Sequence, residues 1–366
     1  MAAATDSGGD RSAALCEQVR AAIDSQQPLA ITGGASRAGF GLQCEPARLR
    51  LHEHSGVIDY QPDELVLRVR SGTRLQPLRE LLAAEGQQFA ADIPAPAPHS
   101  TVGGAVACGW DGPARAFGVA LRDTVLGCGL INGRGEPLTF GGQVMKNVAG
   151  YDCARLQVGA LGTLGVLLET SLRLAPLAEV HESRCFEVAP PMLPQWWQRT
   201  RTLRPLVSAT CYRHGQLHLR LSGRAAAVRD ALQPLGGERS ALEWGALRDL
   251  RDEFFHGAAL ACVHLPRAAQ FEPPQNGHCA RPAWNDVLVE WEGARVWVRD
   301  GDHRALARVA AAHGGFVQVL RGAPLPPAVT AVDWHRRIRS AFDPQGLFNR
   351  DIFALRFDRD AASAGR

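Results

Sequence analysis

Leu29-Ala30-Ile31-Thr32-Gly33-Gly34-Ala35-Ser36-Arg37-Ala38-Gly39-Phe40-Gly41 is the stretch on which the fold turns. Helical periodicity runs over 12–25 through Leu15, Val19 and Ile23, and Pro28 stops it. Leu29–Thr32 then reads as a short buried strand that opens into a glycine loop over 33–41. Consecutive glycines permit positive φ and let backbone N–H groups point to one focus. Such concave nests of N–H groups hold phosphate. Ser36 adds a hydroxyl. The loop alone is equally compatible with a flexible surface connection.

Two further segments repeat the chemistry. Ser100-Thr101-Val102-Gly103-Gly104-Ala105-Val106-Ala107-Cys108-Gly109 puts a hydroxyl pair before a small-residue helix start. Free N–H groups at such a start favour an anion, and small side chains let a flat ligand approach. A tightly packed glycine helix would have the same composition. Gly159-Ala160-Leu161-Gly162-Thr163-Leu164-Gly165-Val166 is the third segment. None is the Gly-x-Gly-x-x-Gly fingerprint in a βαβ unit, and there is no Walker A sequence, so a Rossmann or P-loop domain is not expected. Three glycine segments across about 130 residues suggest one long ligand wrapped by several loops, as a dinucleotide would be.

Between the second and third segments stands Lys146, the only lysine among 40 basic residues, in Val144-Met145-Lys146-Asn147-Val148-Ala149-Gly150-Tyr151-Asp152. An ammonium is a compact point charge where guanidinium is a wide fork. A tight polar niche explains the choice, and so does chance in an arginine-rich chain.

Farther out, strands are expected over 48–52, 64–70, 124–132 and 165–174, and a helix from an N-cap at Thr73 to Gly86. Residues 92–98 carry three prolines and must be extended. After Pro176 the glycine segments thin out and candidate strands (181–188, 207–213, 216–222, 258–265, 286–291, 294–299) alternate with candidate helices (192–204, 224–234, 242–256, 302–312). Glu292-Gly293 joins two alternating runs as a hairpin. This pattern predicts an antiparallel sheet covered by helices. The segment 267–283 reads as a loop, and Val332–Phe342 as a helix ended by Asp343-Pro344-Gln345-Gly346. The expected organisation is a disordered tail over 1–10, a first domain over 11–177, an α+β domain over 178–330, and a C-terminal segment over 331–357.

Composition excludes several classes. A net charge of +3 with no basic aromatic-rich stretch gives no reason to expect nucleic acid. No apolar run suits a transmembrane helix, and Met1–Asp10 is not a signal peptide. The nine cysteines contain no Cys-x-x-Cys pair, which argues against an iron–sulfur cluster or zinc ribbon in this chain. Free thiols suggest a reducing cytoplasm.

Residues 29–176 resemble the FAD-binding domain of the vanillyl-alcohol oxidase and p-cresol methylhydroxylase type. The matching stretches are Gly33–Gly41, Ser100–Gly104, Arg122-Asp123-Thr124-Val125-Leu126-Gly127 and Gly159–Glu169. The run Val144–Asp152 narrows the resemblance to the FAD-binding E subunits of bacterial glycolate oxidases (glycolate dehydrogenases). Ala341–Asn349 resembles the tail by which such flavoproteins return to the FAD domain. The resemblance implies an α+β fold: a two-part FAD-binding domain of p-cresol methylhydroxylase type with an antiparallel α+β cap. It implies that Gly33, Gly34, Ala35, Ser36 and Gly39 form one wall of the FAD site, and that Ser100, Thr101, Val102, Gly103 and Gly104 form the other. Gly162, Leu164, Gly165 and Val166 would lie near the ribose and adenine, and Arg122 and Asp123 near a loop closing on the cofactor. The latter two could equally be a structural ion pair. Lys146 would lie beside the flavin or pin Asp152. Relatives with covalent flavin carry histidine where this chain has Ala35, so non-covalent FAD is expected.

The related catalytic subunits carry a His-x-x-Asp-Gly-Asn-x-His cluster and a Glu-His-Gly segment, both missing from this sequence. His52-Glu53-His54 could place two imidazoles on one strand face as metal ligands, or simply be a solvated face. The resemblance therefore implies a subunit that binds FAD and passes electrons onward in the oxidation of glycolate to glyoxylate. A homologous larger FAD-binding catalytic subunit and an iron–sulfur subunit would be its partners, with a 2-hydroxy acid as substrate. The complex would be cytoplasmic, or peripheral at the inner face of the inner membrane. The alternatives are a self-sufficient FAD oxidoreductase acting on D-lactate or a related alcohol, and a non-catalytic structural subunit.

Overall fold

The computed structural model describes residues 9–37, 47–142, 152–266, 286–322, 325 and 332–357. The chain divides into two compact units. The first comprises 1–111, 120–177 and 326–366, and the second 112–119 and 178–325.

In the first unit, α1 (Ser12–Asp24) buries Leu15, Val19 and Ala22. It packs beside β1 (Leu29–Thr32), which pairs in parallel with β2 (Ala47–Arg50). There follow β3 (Val57–Gln61), β4 (Val66–Arg70), α2 (Leu75–Ala84), β5 (Gln87–Phe89) and α3 (Val102–Cys108). Then come α4 (Leu121–Thr124), β6 (Val125–Ile131), β7 (Pro137–Gly141), α5 (Cys153–Leu156) and β8 (Val166–Pro176). Strands β3-β4-β8-β6-β7 form an antiparallel sheet, with β5 also paired to β8. The eleven residues of β8 alternate little in burial, because helices and loops cover the sheet. Leu67, Val69, Leu75, Leu82, Leu121, Leu130 and Leu172 fill the core between this sheet, α2 and α3.

The second unit contains β9 (Val180–Glu187), α6 (Leu193–Thr202), β10 (Val207–Arg213), β11 (Gln216–Gly223), α7 (Ala225–Leu235) and β12 (Glu238–Arg239). It continues with α8 (Trp244–Arg248), β13 (Leu260–His264), β14 (Val287–Glu290), β15 (Arg295–Arg299), α9 (His303–Ala312) and β16 (Phe316–Arg321). All eight strands join one antiparallel sheet in the order β12-β9-β11-β10-β14-β15-β13-β16. The inward faces of β10, β11, β13, β14 and β15 pack with Leu193, Trp197, Val228, Leu235, Leu306 and Ala310 of α6, α7 and α9. This is the expected α+β layer. The expected hairpin at Glu292-Gly293 is present, with Trp291 and Glu292 at φ 55° and 54°.

Several elements escaped the sequence reading. β3, β7 and β16 are short strands with exposed or half-buried faces, so their hydrophobic alternation is weak. The helix expected over 242–256 is shorter: α8 stops at Arg248 and a separate turn covers Glu253–Phe255, with Leu250 at φ 55° between them. Thr73 does not cap α2. Its hydroxyl donates to the Arg70 carbonyl at 2.7 Å and accepts from the Gly56 N–H at 2.9 Å, and Arg74 takes the cap position. The chain returns to the first unit as α10 (Val332–Phe342) and α11 (Arg350–Phe357). The loop expected over 267–283 lies outside the described residues. Among the described residues, no helix is long and apolar enough to cross a membrane.

Candidate functional site

The first two glycine loops lie back to back. A Cβ at Gly34 would stand 1.6 Å from the His99 carbonyl oxygen, and one at Gly33 would stand 2.4 Å from Thr101 Oγ1. Gly34 is therefore required by close backbone approach, and Gly33 by the Thr101 side chain. Positive φ occurs at the next residue instead: Ala35 has φ 51°. The Ser100 hydroxyl donates to Ser36 Oγ at 2.9 Å and ties the loops together. Arg37 is buried at 5 % exposure, donates to the Pro94 carbonyl at 2.7 Å and stands 5.6 Å from the Trp110 ring.

Thr101 caps α3, accepting from the Gly104 N–H at 3.3 Å. Gly103 lets α3 sit against the 70–74 turn, since a Cβ there would be 2.5 Å from Ser71 Cβ. Gly72 brings the same turn onto the end of β2: its Cβ would be 1.9 Å from the Leu51 carbonyl oxygen.

The third segment docks on the far end of α3. Gly159 N–H donates to the Val106 carbonyl at 3.0 Å, and Leu161 N–H to the Ala107 carbonyl at 2.8 Å. Gly162 is in the left-handed region at φ 67°. The C-terminal return closes this side. Asn349, 3 % exposed, accepts from the Ile31 N–H at 2.8 Å and donates from Nδ2 to the Leu161 carbonyl at 2.6 Å. Asp343 accepts from the Leu347 and Phe348 N–H groups at 2.9 and 3.0 Å. Burial pushes the Asp343 carboxyl above its ordinary range, against these hydrogen bonds and Arg339.

The three loops enclose a cavity of about 560 Å³. Gly33, Gly34, Ala35 and Ser36 line one side, Thr101, Gly103 and Gly104 another, and Gly162 and Gly165 a third. Ser100, Val102, Leu164 and Val166 stand behind the lining: Ser100 holds Ser36, and the three apolar side chains belong to the core. Arg122 and Asp123 are exposed on α4 and do not line the cavity; Asp123 lies 3.9 Å from Arg155. Gly39 and Lys146 lie outside the described residues.

The sequence reading missed a second set of lining residues: Arg48, Arg50, Gly72, Arg74, His99 and Asn349. Alternation on β2 was the available signal for the first two, since Leu49 and Leu51 are buried and Arg48 and Arg50 are exposed. Among the described residues, no aspartate or glutamate lines the cavity.

His52 and His54 diverge, because β2 ends at Arg50 and a turn follows. His52 is exposed at the cavity edge. His54 is 2 % exposed, accepts from the Arg11 N–H at 3.0 Å, and pairs with the Leu168 carbonyl at 2.9 Å. Burial pushes its imidazole below the ordinary range. Among the described residues, no group of His, Cys, Asp and Glu could hold a metal.

In the second unit the buried charges are paired. Glu290 accepts from Arg295 Nε at 2.8 Å and from Trp297 Nε1 at 2.6 Å, and the Arg295 guanidinium lies 3.8 Å from the Trp291 ring. Glu292 accepts from Thr200 at 2.8 Å and from Arg204 at 3.0 Å. Burial pushes His218 down to about 4, with Arg213 adding to it. It pushes the Cys262 thiol up to about 12. These groups are neutral or paired near neutral pH, which suits a scaffold better than a nucleophile or base.

Residues 10–156 match the family model described as an FAD binding domain. The glycolate oxidase subunit GlcE of Escherichia coli is 35% identical over 93% of this chain and 96% of its own length. The glycolate oxidase subunit GlcD of Bacillus subtilis is 28% identical over 41% of this chain and 32% of its own. A solved alkyldihydroxyacetonephosphate synthase superposes with a TM-score of 0.63 at 13% identity, over 92% of this chain and 74% of that one.

Proposed function

Because this chain belongs to the family of the glycolate oxidase subunit GlcE, with an FAD binding domain, we propose that it is the FAD-holding subunit of a complex oxidising glycolate to glyoxylate. The cavity carries this reading. Glycines at 33 and 34 bring two loops into direct contact, and among the described residues positive side chains but no carboxylate line a space of about 560 Å³. That volume lies in the range of cofactor sites, and the donor set suits a dinucleotide whose charge is a pyrophosphate.

Gly33, Gly34, Ala35 and Ser36 would hold FAD from one side, and Thr101, Gly103 and Gly104 from the other. Gly162 and Gly165 would close the end that Asn349 braces. When bound, FAD supplies a hydride acceptor for the hydroxy acid carbon. Ala35 provides no imidazole for a covalent link, so the cofactor dissociates intact. The chain's own part is to seat the cofactor and exclude water, since the charges described in the second unit are committed to structural pairs. The oxidation itself would then reside in a homologous larger subunit, and electrons would leave through an iron–sulfur subunit.

The test is to purify the chain alone, record its visible spectrum and precipitate it with acid. Flavin absorbance, release of FAD into the supernatant, and no dye-linked turnover of glycolate or D-lactate are expected. Turnover by the isolated chain would replace the accessory reading by a self-sufficient oxidase. A colourless protein that cannot be reconstituted with FAD would overturn the flavin reading.

A further inference from the structure

Arg48, Arg50 and Arg74 converge on the cavity from two elements that are distant in sequence. Strand alternation turns Arg48 and Arg50 outward while Leu49 and Leu51 enter the core. Arg74 reaches the same wall because Gly72 seats its turn directly on the Leu51 carbonyl. The Gly72 N–H donates to the His54 carbonyl at 2.9 Å and fixes that seat. Arg74 is also bridged antiparallel to Thr101, on the second glycine loop.

Nearby arginines behave differently. Arg68 pairs with Glu169, and Arg70 lies 3.6 Å from Asp10. Among the described residues, Arg48, Arg50 and Arg74 have no carboxylate partner. Glu53, the acid beside this wall, is 3.4 Å from Arg11 and 4.0 Å from His52. Three arginines thus line one cavity, and among the described residues no acid lines it with them. Like charges placed together in a fold call for an anion between them, and guanidinium matches phosphate oxygens bidentately.

We infer that Arg48, Arg50 and Arg74 form a side-chain clamp on the pyrophosphate of FAD, reaching it from β2 and the Gly72 turn, next to the glycine loops. This rests on the flavin reading. FAD carries its charge at the pyrophosphate, and riboflavin has none. The clamp therefore selects the dinucleotide over the bare flavin and makes cofactor retention depend on salt.

The experiment titrates flavin-free full-length protein with FAD and with riboflavin, following flavin fluorescence from low to high salt. The triple variant Arg48→Gln/Arg50→Gln/Arg74→Gln, checked for folding by circular dichroism, is expected to bind FAD roughly 10- to 100-fold more weakly, with riboflavin unchanged. The slope of log Kd against log salt should flatten in the same variant. The triple lysine variant should keep the slope and recover part of the affinity. An FAD affinity that matches wild type, or an equal loss for riboflavin, overturns the clamp while leaving the flavin reading intact. Wild-type protein that binds no FAD overturns both.

Discussion

Asn349 joins three pieces of the cavity wall, and its removal has a calculable effect. Its side chain satisfies the Ile31 N–H of β1 and the Leu161 carbonyl of the third glycine segment, at 2.8 and 2.6 Å. Its own N–H donates to the Leu29 carbonyl at 3.0 Å and survives any substitution except proline. Truncation leaves two backbone groups without partners, and each costs about 1–3 kcal/mol when water cannot reach it. The Leu161 carbonyl is buried, whereas the Ile31 N–H is half-buried and can rehydrate in part. The loss for Asn349→Gly is therefore about 2–4 kcal/mol, a large part of a typical domain's stability. Asn349 has φ 41°, which asparagine tolerates better than alanine. Asn349→Ala should accordingly be about 1 kcal/mol worse than Asn349→Gly. The assay is amide hydrogen exchange on the peptide spanning 29–32, beside urea unfolding. Exchange there should accelerate about 30- to 1000-fold, the equivalent of 2–4 kcal/mol. Protection within threefold of wild type in Asn349→Gly would refute the bracing role.

Gly34→Ala should abolish FAD retention, because the new methyl would meet the His99 carbonyl at 1.6 Å and the first two loops would have to part; the check is the ratio of flavin to protein absorbance after gel filtration. Glu290→Ala should cost about 3–5 kcal/mol in thermal or urea unfolding, since it strands the buried Arg295 and the Trp297 Nε1. The pH dependence has a definite sign. His218 has a folded pKa of about 4 against an ordinary 6.5. The unfolded chain therefore takes up its proton first as pH falls, and stability present above 6.5 is lost progressively down to about 4. At pH 5.5 that one group removes about 1.4 kcal/mol. His218→Gln should flatten the dependence of the urea midpoint between pH 7 and 5; an unchanged slope would contradict it.

Much of the first unit could be read directly. Pro28, the run Leu29–Thr32 and the glycines after it are local signals, and they marked the loop that lines the cavity. The first two of those glycines do not serve conformational freedom. Left-handed freedom is used at Gly162, whereas Gly33 and Gly34 answer to His99 and Thr101, some 65 residues away. No local rule reports that contact. His52 and His54 read as one strand face, solvated or metal-binding, whereas the turn after Arg50 sends His54 into the core. In the second unit the hairpin at Glu292-Gly293 was legible because two apolar runs, buried along nearly their whole length, flank it, whereas β16 was not, because most of it is half-buried.

The sequence by itself determined the family resemblance, the three glycine loops, the α+β class and the absence of a histidine at Ala35. All of these are properties of residue type and short spacing. Tertiary structure decided which residues line the cavity. Arg48, Arg50, Arg74 and Asn349 come from three places in the chain, and their meeting depends on how β2, the Gly72 turn and the C-terminal return pack. Charge and hydrogen bonding act through space, so a site whose walls are separated by up to 318 residues is set by packing distances that no window of sequence contains.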